Sequence, residues 1–403
     1  MVTKEFFIQN RREFEELMPA GSVCFLFAGE TKLQSLEEEY RFFADVNFYY
    51  LTGITDAGIT LVIDKTGDSV EETLFAPEKD ALIERWHGRR KTFDELKAIS
   101  GIESVEPDEK FDEYMLELAG KGCPSGFDLT SVMEGPSKFS KNFRGEIFDI
   151  SKILTPMRKI KKPEEIACIK EACRITEEAL AEFKKVIAPG KSEYELFTRL
   201  EYEIARRSDL TFAFSTITAV GDNAFYLHHS VPDKDNFVVS GGQIQIDCGA
   251  RFAGYCADIS RAYLIGDGGA DDKRYLVHGL VKTLRDRALE FIKPGITFDD
   301  LNKEMHDICG AQLASWGLIP KDFTTEDVRK YYWHNTSHYL GLDVHDVGDR
   351  KLPLEAGCAL AVEPGVYIPE WHAGFRIEDD LLVTADGCEK LSSWSDSLDS
   401  CKV

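Results

Sequence analysis

The chain contains 403 residues, with 48 lysine and arginine residues against 71 aspartate and glutamate residues, so its formal net charge is -23 with histidine neutral. The apolar share of 43% and the charged share of 30% are ordinary for a globular protein and exclude disordered, collagen-like and fibrous classes. The acidic excess argues against a nucleic-acid partner, because a phosphate backbone binds to a basic face. At about 150 residues per domain, the length predicts two or three domains.

The sequence shows no sign of a membrane or secretory segment. No apolar run reaches the roughly 18 residues that span a bilayer, and the N-terminal residues lack the apolar core of a signal peptide. The ten cysteines form no C-x-x-C pair, so they are interpreted as free thiols in a reducing compartment. We therefore expect a cytoplasmic protein that binds neither membrane nor nucleic acid.

The first third of the chain is predicted to alternate between helices and strands, which indicates a sheet covered by helices. The predicted helices are 2–18, 78–86, 93–99 and 109–119, and the predicted strands are 22–27, 48–51, 59–63, 72–76, 103–106 and 126–127.

A domain boundary is predicted near residues 150–162, in a basic segment that contains Pro156. A clear helix follows, with Pro163 in its first turn. Ser192 and Glu195 have the spacing of a capping box and predict the next helix. Two further helices are predicted at 271–292 and 297–315, and strands at 210–220, 243–249, 256–264, 359–367 and 376–384.

Two aspartates lie on consecutive predicted strands. If these strands pair about a turn between Phe252 and Ala253, Asp247 and Asp258 are direct partners, about 5 Å apart at Cβ. Two like charges at that distance are destabilising unless a cation lies between them. The pair indicates either a metal site or two separately solvated aspartates.

Two glutamates, Glu363 and Glu378, each interrupt an apolar strand, where an unpaired buried carboxylate is very costly. A salt bridge to Arg376 can serve one carboxylate but not all of them. Three of the nine histidines, at 334, 338 and 345, fall within twelve residues.

Together, four carboxylates and His338 could bind two divalent cations. Oxygen-rich ligation with one nitrogen suits manganese and tolerates cobalt or iron. A pair of such cations can hold a hydroxide nucleophile and polarise a carbonyl.

These residues resemble the ligands of the metallopeptidase family that includes Xaa-Pro aminopeptidase (aminopeptidase P), prolidase, methionine aminopeptidase and creatinase. The five ligands of that family correspond, in the motifs IDCG, ADISR, SHYLGLDVHDVG, VEPGVY and RIEDD, to Asp247, Asp258, His338, Glu363 and Glu378. Residues 40–53 and 86–89 resemble the N-terminal domain of aminopeptidase P and prolidase. One departure is Asn335, which stands where the family motif has glycine.

The resemblance implies an α/β (α+β) protein with a pita-bread catalytic domain at 153–403. A smaller, mixed-sheet α/β domain of the creatinase/prolidase type is expected before it, at 1–152. The implied cofactor is a pair of divalent metal ions bound by the five ligands. Manganese is expected, with cobalt, zinc or iron as alternatives, and the assembly is expected to be a homodimer or homotetramer.

The resemblance also implies roles for individual side chains. His228, His334 and His345 are expected to contact the substrate, and His228 is favoured over its neighbour His229. His345 would stabilise the tetrahedral intermediate and Arg376 would orient carboxylates. Glu363 would carry a proton from the water to the leaving proline nitrogen. The catalytic residues are therefore expected to be His228, His345, Glu363 and Arg376.

The implied activity is that of a dinuclear exopeptidase, in which a metal-bridging hydroxide attacks the Xaa-Pro carbonyl. Its substrates would be peptides with proline in second position, and the N-terminal residue would be released. The alternative is a prolidase restricted to Xaa-Pro dipeptides, which shares nearly every motif. A remote alternative is a non-catalytic peptide-binding relative, although such proteins typically lose ligands. Creatinase-like hydrolysis is disfavoured because creatinase lacks the metal ligands.

Overall fold

The computed structural model describes residues 2–131, 145–208, 211–266 and 271–393, together with Lys402. The chain divides into two compact units, residues 2–157 and 158–403. Among the described residues, no helix has the length and apolar character needed to cross a membrane.

The first unit is built on a six-stranded mixed sheet with the order β4-β3-β2-β1-β5-β6. Its strands are β1 Val23–Phe27, β2 Thr60–Asp64, β3 Glu71–Ala76, β4 Ser104–Pro107, β5 Ser125–Phe127 and β6 Ile147–Asp149. Strands β1 and β2, and β2 and β3, pair antiparallel, whereas the other neighbours are parallel. The helices are α1 Lys4–Leu17, α2 Val46–Thr52, α3 Ala81–His87, α4 Phe93–Ser100, α5 Phe111–Lys121 and α6 Ser151–Lys159, which contains the division between the units.

Strand β1 is central and wholly buried, which explains its continuous apolar sequence. The Phe25 ring stacks on Phe127 with centroids 5.1 Å apart and meets the Phe111 ring of α5 edge-on at 6.4 Å. In α1, Phe6 and Phe14 are buried. The first unit therefore has its own apolar core.

Residues 48–51, predicted as a strand, belong to helix α2, so that prediction is wrong. The Asp45 carboxylate accepts hydrogen bonds from the backbone N–H groups of Asn47 and Phe48, and Gly53 ends the helix with a φ of 72°. These two caps determine the conformation of a short aromatic run whose apolar residues show neither helical nor strand periodicity clearly.

The second unit contains a three-stranded sheet of order β11-β8-β7, a four-stranded sheet of order β12-β13-β16-β17, and two-stranded pairs β9–β10 and β14–β15. Its strands are β7 Ile217–Val220, β8 Gln243–Cys248, β9 Arg251–Phe252, β10 Tyr255–Cys256, β11 Ile259–Leu264, β12 Ser337–Tyr339, β13 Ala359–Val362, β14 Gly365–Ile368, β15 Ala373–Arg376, β16 Asp379–Val383 and β17 Cys388–Lys390. Its helices are α7 Pro163–Lys184, α8 Glu193–Ala205, α9 Lys273–Phe291, α10 Phe298–Ser315 and α11 Thr325–Arg329.

Helices α9 and α10 form the main core of this unit with the strands. Leu284 of α9 and Leu301 of α10 are fully buried in one cluster with Leu360 of β13 and Phe375 of β15. Strand β7 covers only the end of the predicted strand 210–220, of which residue 210 lies outside the described residues.

The predicted strands 359–367 and 376–384 are each divided into two, and both interruptions occur at a glutamate. Strand β13 pairs with β16, and β14 pairs with β15. Val362 lies opposite Asp379 and Gly365 lies opposite Arg376, so the continuing register sets Glu363 opposite Glu378. Two carboxylates distant in sequence are thereby placed together.

The predicted pairing of Asp247 with Asp258 is wrong. Strands β8 and β11 pair with Asp247 opposite Ser260. The turn is centred on Ala253 and Gly254, with φ values of 47° and 84°, and positive φ at both positions is typical of the type I′ turn that suits the twist of a hairpin. The turn centre lies one residue further along than predicted, so the partner of Asp247 moves by two.

A buried ion cluster ties the start of the second unit to a later loop. Asp346 accepts hydrogen bonds from Arg158 Nη2 at 2.5 Å and from Lys161 Nζ at 2.7 Å, and all three side chains are at most 2% exposed. Burial alone would raise the pKa of Asp346, but the charges of Lys161 and Arg158 hold it below its usual range.

Replacing Asp346 should therefore be strongly destabilising. We expect Asp346→Asn to lower the free energy of unfolding by about 3–5 kcal/mol, because two buried cations lose their counter-charge. The matched control is Asp343→Asn, since Asp343 meets the same Arg158 Nη2 at 3.0 Å but is 43% exposed, and a change below about 1 kcal/mol is expected there. Urea unfolding followed by tryptophan fluorescence measures both, because four of the five tryptophans lie in this unit. Equal effects in the two variants would contradict the prediction.

Candidate metal centre

A cavity of about 590 Å³ in the second unit gathers every site residue predicted from the sequence. They reach it from strands, from strand interruptions and from three loops. The predicted residues on its wall are His228, Asp247, Asp258, His334, His338, His345, Glu363, Arg376 and Glu378.

His338 lies at the centre of three carboxylates. Its Nε2 is 3.5 Å from Asp258 Oδ2, 3.8 Å from Glu378 Oε1 and 3.9 Å from Glu363 Oε1. Among the described residues, Asp258, His338 and Glu378 form a group whose ligand atoms all lie within 4.8 Å of one another. His338 Nδ1 donates to the backbone oxygen of Tyr339 at 3.0 Å, which leaves Nε2 directed at the carboxylates. This is the arrangement that metal-ligating histidines use.

Asp247 contributes an unsatisfied oxygen to the same cavity. Its Oδ2 accepts a hydrogen bond from Arg376 Nη2 at 2.6 Å. Its Oδ1 is buried and has no hydrogen-bond partner within the part of the chain that the structure describes. Because a buried carboxylate oxygen without a partner is costly, the position fits a ligand to a cation.

The pKa shifts of these groups also indicate a cation site. Burial and the charge of Glu378 raise the pKa of Glu363 to about 8, and the same two causes raise the pKa of Asp258 well above its usual range. Burial lowers the pKa of His338, but hydrogen bonds to Asp258 and Glu378 outweigh this and raise it. Without cations the group therefore holds protons, and divalent cations would replace them.

Sequence reasoning missed two hydroxyl side chains that hold this group in place. Ser260 Oγ donates to Glu378 Oε2 at 2.9 Å and accepts from Arg376 Nε at 2.9 Å. Tyr367 Oη accepts from Arg376 Nη1 at 3.1 Å and lies 2.9 Å from His334 Nε2. Both lie within the motifs ADISR and VEPGVY, and the strand register is the signal that would have found Ser260, opposite Asp247.

Asp258 lies between β10 and β11, where the chain passes very close to Gly249. A Cβ atom at Gly249 would lie 1.8 Å from the backbone oxygen of Ala257, so only glycine fits there. The Asp258 N–H donates to Asp380 Oδ2 at 2.9 Å. These two contacts fix the backbone that presents the Asp258 carboxylate.

Two further histidines are neutral at pH 7. Burial and the charge of Arg376 lower the pKa of His334 to about 4, and burial and His338 lower the pKa of His345. The His345 ring lies 4.3 Å from the His338 ring, centroid to centroid.

Asn335, which stands where the family motif has glycine, does not need a positive φ. Among the described non-glycine residues, only Ala253 and His372 have positive φ.

The adjacent histidines His228 and His229 point to different surroundings. His228 lines the cavity. His229 Nε2 lies 2.6 Å from Oε1 of the buried Glu193. The structure thus places His228, and not His229, on the cavity wall.

Comparisons with known proteins agree with this geometry. A model of metallopeptidase family M24 matches residues 167–385, and a model of the aminopeptidase P N-terminal domain matches residues 7–123. The Xaa-Pro aminopeptidase of Haemophilus influenzae is 30% identical over 97% of this chain and 94% of its own length. The Xaa-Pro dipeptidase of Pyrococcus horikoshii is 30% identical over 86% of this chain and 90% of its own.

A solved structure extends the comparison to the fold. Aminopeptidase P from E. coli, in its low-pH form, superposes with a TM-score of 0.91 at 25% identity, covering 100% of this chain and 98% of that one. The predicted fold, a pita-bread domain preceded by a mixed α/β domain, is confirmed.

Removal of one ligand should empty the centre without unfolding the protein. We expect Asp258→Asn and Glu378→Gln to lose most of the manganese or cobalt bound by the wild type, because each removes a charged oxygen from the group around His338. Metal content is measured by mass spectrometry after dialysis, and circular dichroism reports folding. Asp307→Asn, an exposed aspartate of α10 paired with Lys303, is the control. Wild-type metal content in both ligand variants would contradict the assignment.

Proposed function

We propose that this chain, which belongs to metallopeptidase family M24, is an Xaa-Pro aminopeptidase that releases the N-terminal residue from peptides with proline in second position. The observation that carries the proposal is the complete set of four carboxylates and one imidazole around one cavity, with neutral histidines beside it. The Xaa-Pro aminopeptidase of Haemophilus influenzae, similar over nearly the whole chain, supports the same activity.

We infer that the centre holds two divalent cations, through Asp247, Asp258, His338, Glu363 and Glu378. Arg376 compensates one of the four carboxylates. The three charges that remain exceed what one divalent cation can neutralise. Mostly oxygen ligands favour manganese, with cobalt, zinc or iron as alternatives. When bound, the cations would supply Lewis acidity and lower the pKa of a water molecule.

Glu363 is the residue best placed to move a proton. It is the most exposed of the acidic ligands, at 20% for its side chain, and its Oε2 lies 3.5 Å from His334 Nδ1 and 4.0 Å from Arg376 Nε. In the proposed reaction a Glu363 oxygen accepts the proton of the attacking water. It then delivers that proton to the proline nitrogen as the peptide bond breaks.

The histidines would bind and polarise the substrate. A neutral His345 can donate a hydrogen bond to the oxygen on which negative charge develops, and this stabilises the transition state. His228 and His334 face the same cavity, where they can contact the peptide on either side of the scissile bond. Arg376 keeps Asp247 and Ser260 in position and is already fully engaged.

The alternative function is that of a prolidase, which the similarity to the Pyrococcus horikoshii Xaa-Pro dipeptidase supports. A dipeptide specialist must bind the free carboxylate of proline. Among the described residues lining the cavity, the arginines are Arg350 and Arg376. Arg350 donates to the backbone oxygen of Ser337 at 2.8 Å and stacks over Phe298. Arg376 already uses all three of its nitrogens within the site, which disfavours capture of a free carboxylate there and favours longer peptides. The homodimeric or homotetrameric assembly and the cytoplasmic location stay predictions.

A comparison of three peptides tests the proposal. With the manganese-loaded protein, we expect cleavage of an Xaa-Pro-Yaa tripeptide at its first bond and none of an Xaa-Ala-Yaa control, measured by chromatography of the products. Cleavage of an Xaa-Pro dipeptide alone would establish the prolidase. Failure to cut either proline peptide under manganese, cobalt, zinc and iron would contradict both functions.

Substitution of His345 tests its role in transition-state stabilisation. We expect His345→Ala to lower kcat by about 10²–10³-fold with metal content unchanged, as the loss of one oxyanion donor does. His372→Asn is a suitable control, because His372 is exposed and asparagine tolerates its positive φ of 49°. Wild-type kcat in His345→Ala would remove His345 from the mechanism.

A further inference from the structure

One of the buried carboxylates outside the metal centre, that of Glu193, has no part in the proposed reaction. Glu193, the first residue of α8, is fully buried. Its two oxygens accept hydrogen bonds from the last residue of β7 and from the loop after it: Val220 N at 2.8 Å, Asn223 Nδ2 at 2.9 Å, His229 Nε2 at 2.6 Å, Asp233 N at 2.7 Å and Asn236 Nδ2 at 3.2 Å.

The loop that surrounds Glu193 is the one that carries His228. It begins at Gly221, directly after β7, and runs to Asn236, and its only regular element is the short 3₁₀ helix Gly221–Phe225. Ala224 is its one buried residue between 221 and 236. Apolar contacts hold the start of the loop, where Ala224 is buried and the Phe225 ring lies 6.2 Å from the Trp333 ring, centroid to centroid. Further along, hydrogen bonds to Glu193 hold His229, Asp233 and Asn236.

Further hydrogen bonds that involve backbone groups hold the two ends of the loop together beside Glu193. Glu193 N donates to the Asn236 oxygen at 2.8 Å, Tyr194 N donates to the Asp233 oxygen, and Asn236 Nδ2 also donates to the Val220 oxygen at 2.9 Å. The two ends of the loop are thus joined at Glu193. His229 is held by Glu193, and the adjacent His228 is directed at the cavity.

We propose that Glu193 is a positioning residue: its buried carboxylate, through His229 and the backbone of the loop, sets His228 at the cavity where the substrate binds. The contact of His228 with the substrate rests on the proposed function, whereas the ordering of the loop by Glu193 does not. A glutamine in this place would direct an NH₂ group at N–H donors. The loop would then lose one of the two acceptor oxygens that join it, and His228 would lose its fixed position.

A double-mutant cycle separates positioning from a merely structural role. We expect Glu193→Gln to lower kcat/KM for an Xaa-Pro-Yaa peptide by about tenfold or more, because a small misplacement of a binding group is costly. In a His228→Ala background the same substitution should change kcat/KM less than twofold, with metal content unchanged throughout. Glu195→Gln, which alters the exposed capping box of the same helix, is the matched control. An equal loss in both backgrounds would overturn the proposal, as would a loss of metal.

A readout that does not depend on activity completes the test. In zinc-loaded protein with ¹³C-labelled histidines, the ring signal of His228 is identified by its disappearance in His228→Ala. We expect Glu193→Gln to shift or broaden the His228 and His229 signals while those of the buried His278 and His306 stay unchanged. An unmoved His228 signal would overturn the proposal. If the wild type cleaves no proline peptide, the proposed function fails, yet these spectra still decide on Glu193.

If Glu193→Gln does not fold, His229→Gln replaces it in both the kinetic double-mutant cycle and the histidine spectra. That variant leaves the Glu193 carboxylate with its other donors and removes only the imidazole. The same dependence on His228 is expected from it, and an unmoved His228 signal would again contradict the proposal.

Discussion

Repulsion among four carboxylates in one cavity is the constraint on which this catalytic unit depends. Asp247, Asp258, Glu363 and Glu378 line the same cavity, and among the described residues Arg376 is the arginine whose side chain pairs with them. The free energy of holding like charges together out of water must come from the surrounding fold or from cations. Metal binding and stability of this unit are therefore linked, because a bound cation removes that cost.

The chain meets this constraint with rigid elements. The proposed ligands lie on strands or directly at their ends, and the register of the paired strands brings each carboxylate to its place. Arg376 and Ser260 connect the two strand systems through hydrogen bonds to Asp247 and Glu378. A group positioned by backbone pairing moves less than one positioned by a loop, as a metal centre requires.

The histidines proposed to contact the substrate lie on loops, and a buried carboxylate fixes each of two of these loops. The loop with His345 is fixed beside that residue by the buried Asp346 with Arg158 and Lys161. In our proposal the loop with His228 is fixed by the buried Glu193. At Asp346 the loop supplies the buried carboxylate and the donors come from outside it, whereas at Glu193 the carboxylate comes from α8 and the loop supplies donors.

Glu363 and Glu378 could be singled out from the sequence because a carboxylate in an apolar strand is costly without a partner, and their role as metal ligands stays a prediction. Ser260 and Tyr367 could not, since a hydroxyl is common in strands and only the register shows what it contacts. The prediction for the cross-strand partner of Asp247 is wrong because that partner depends on where the turn is centred. Positive φ at Ala253 and Gly254 determines the turn centre. Helix α2 was missed because its caps, Asp45 and Gly53, outweigh its aromatic sequence.

The placing of Glu363 opposite Glu378 limits how this part of the chain can vary in length. The two glutamates belong to one continuous hairpin, whose far end is the 3₁₀ corner Pro369–Trp371. Residues added at that corner leave the pairing below it unchanged. A single residue lost between Glu363 and the corner would instead shift one strand against the other and turn a ligand to the opposite face. Natural insertions in relatives of this chain should therefore collect at the corner and be absent from the strands that lead to it.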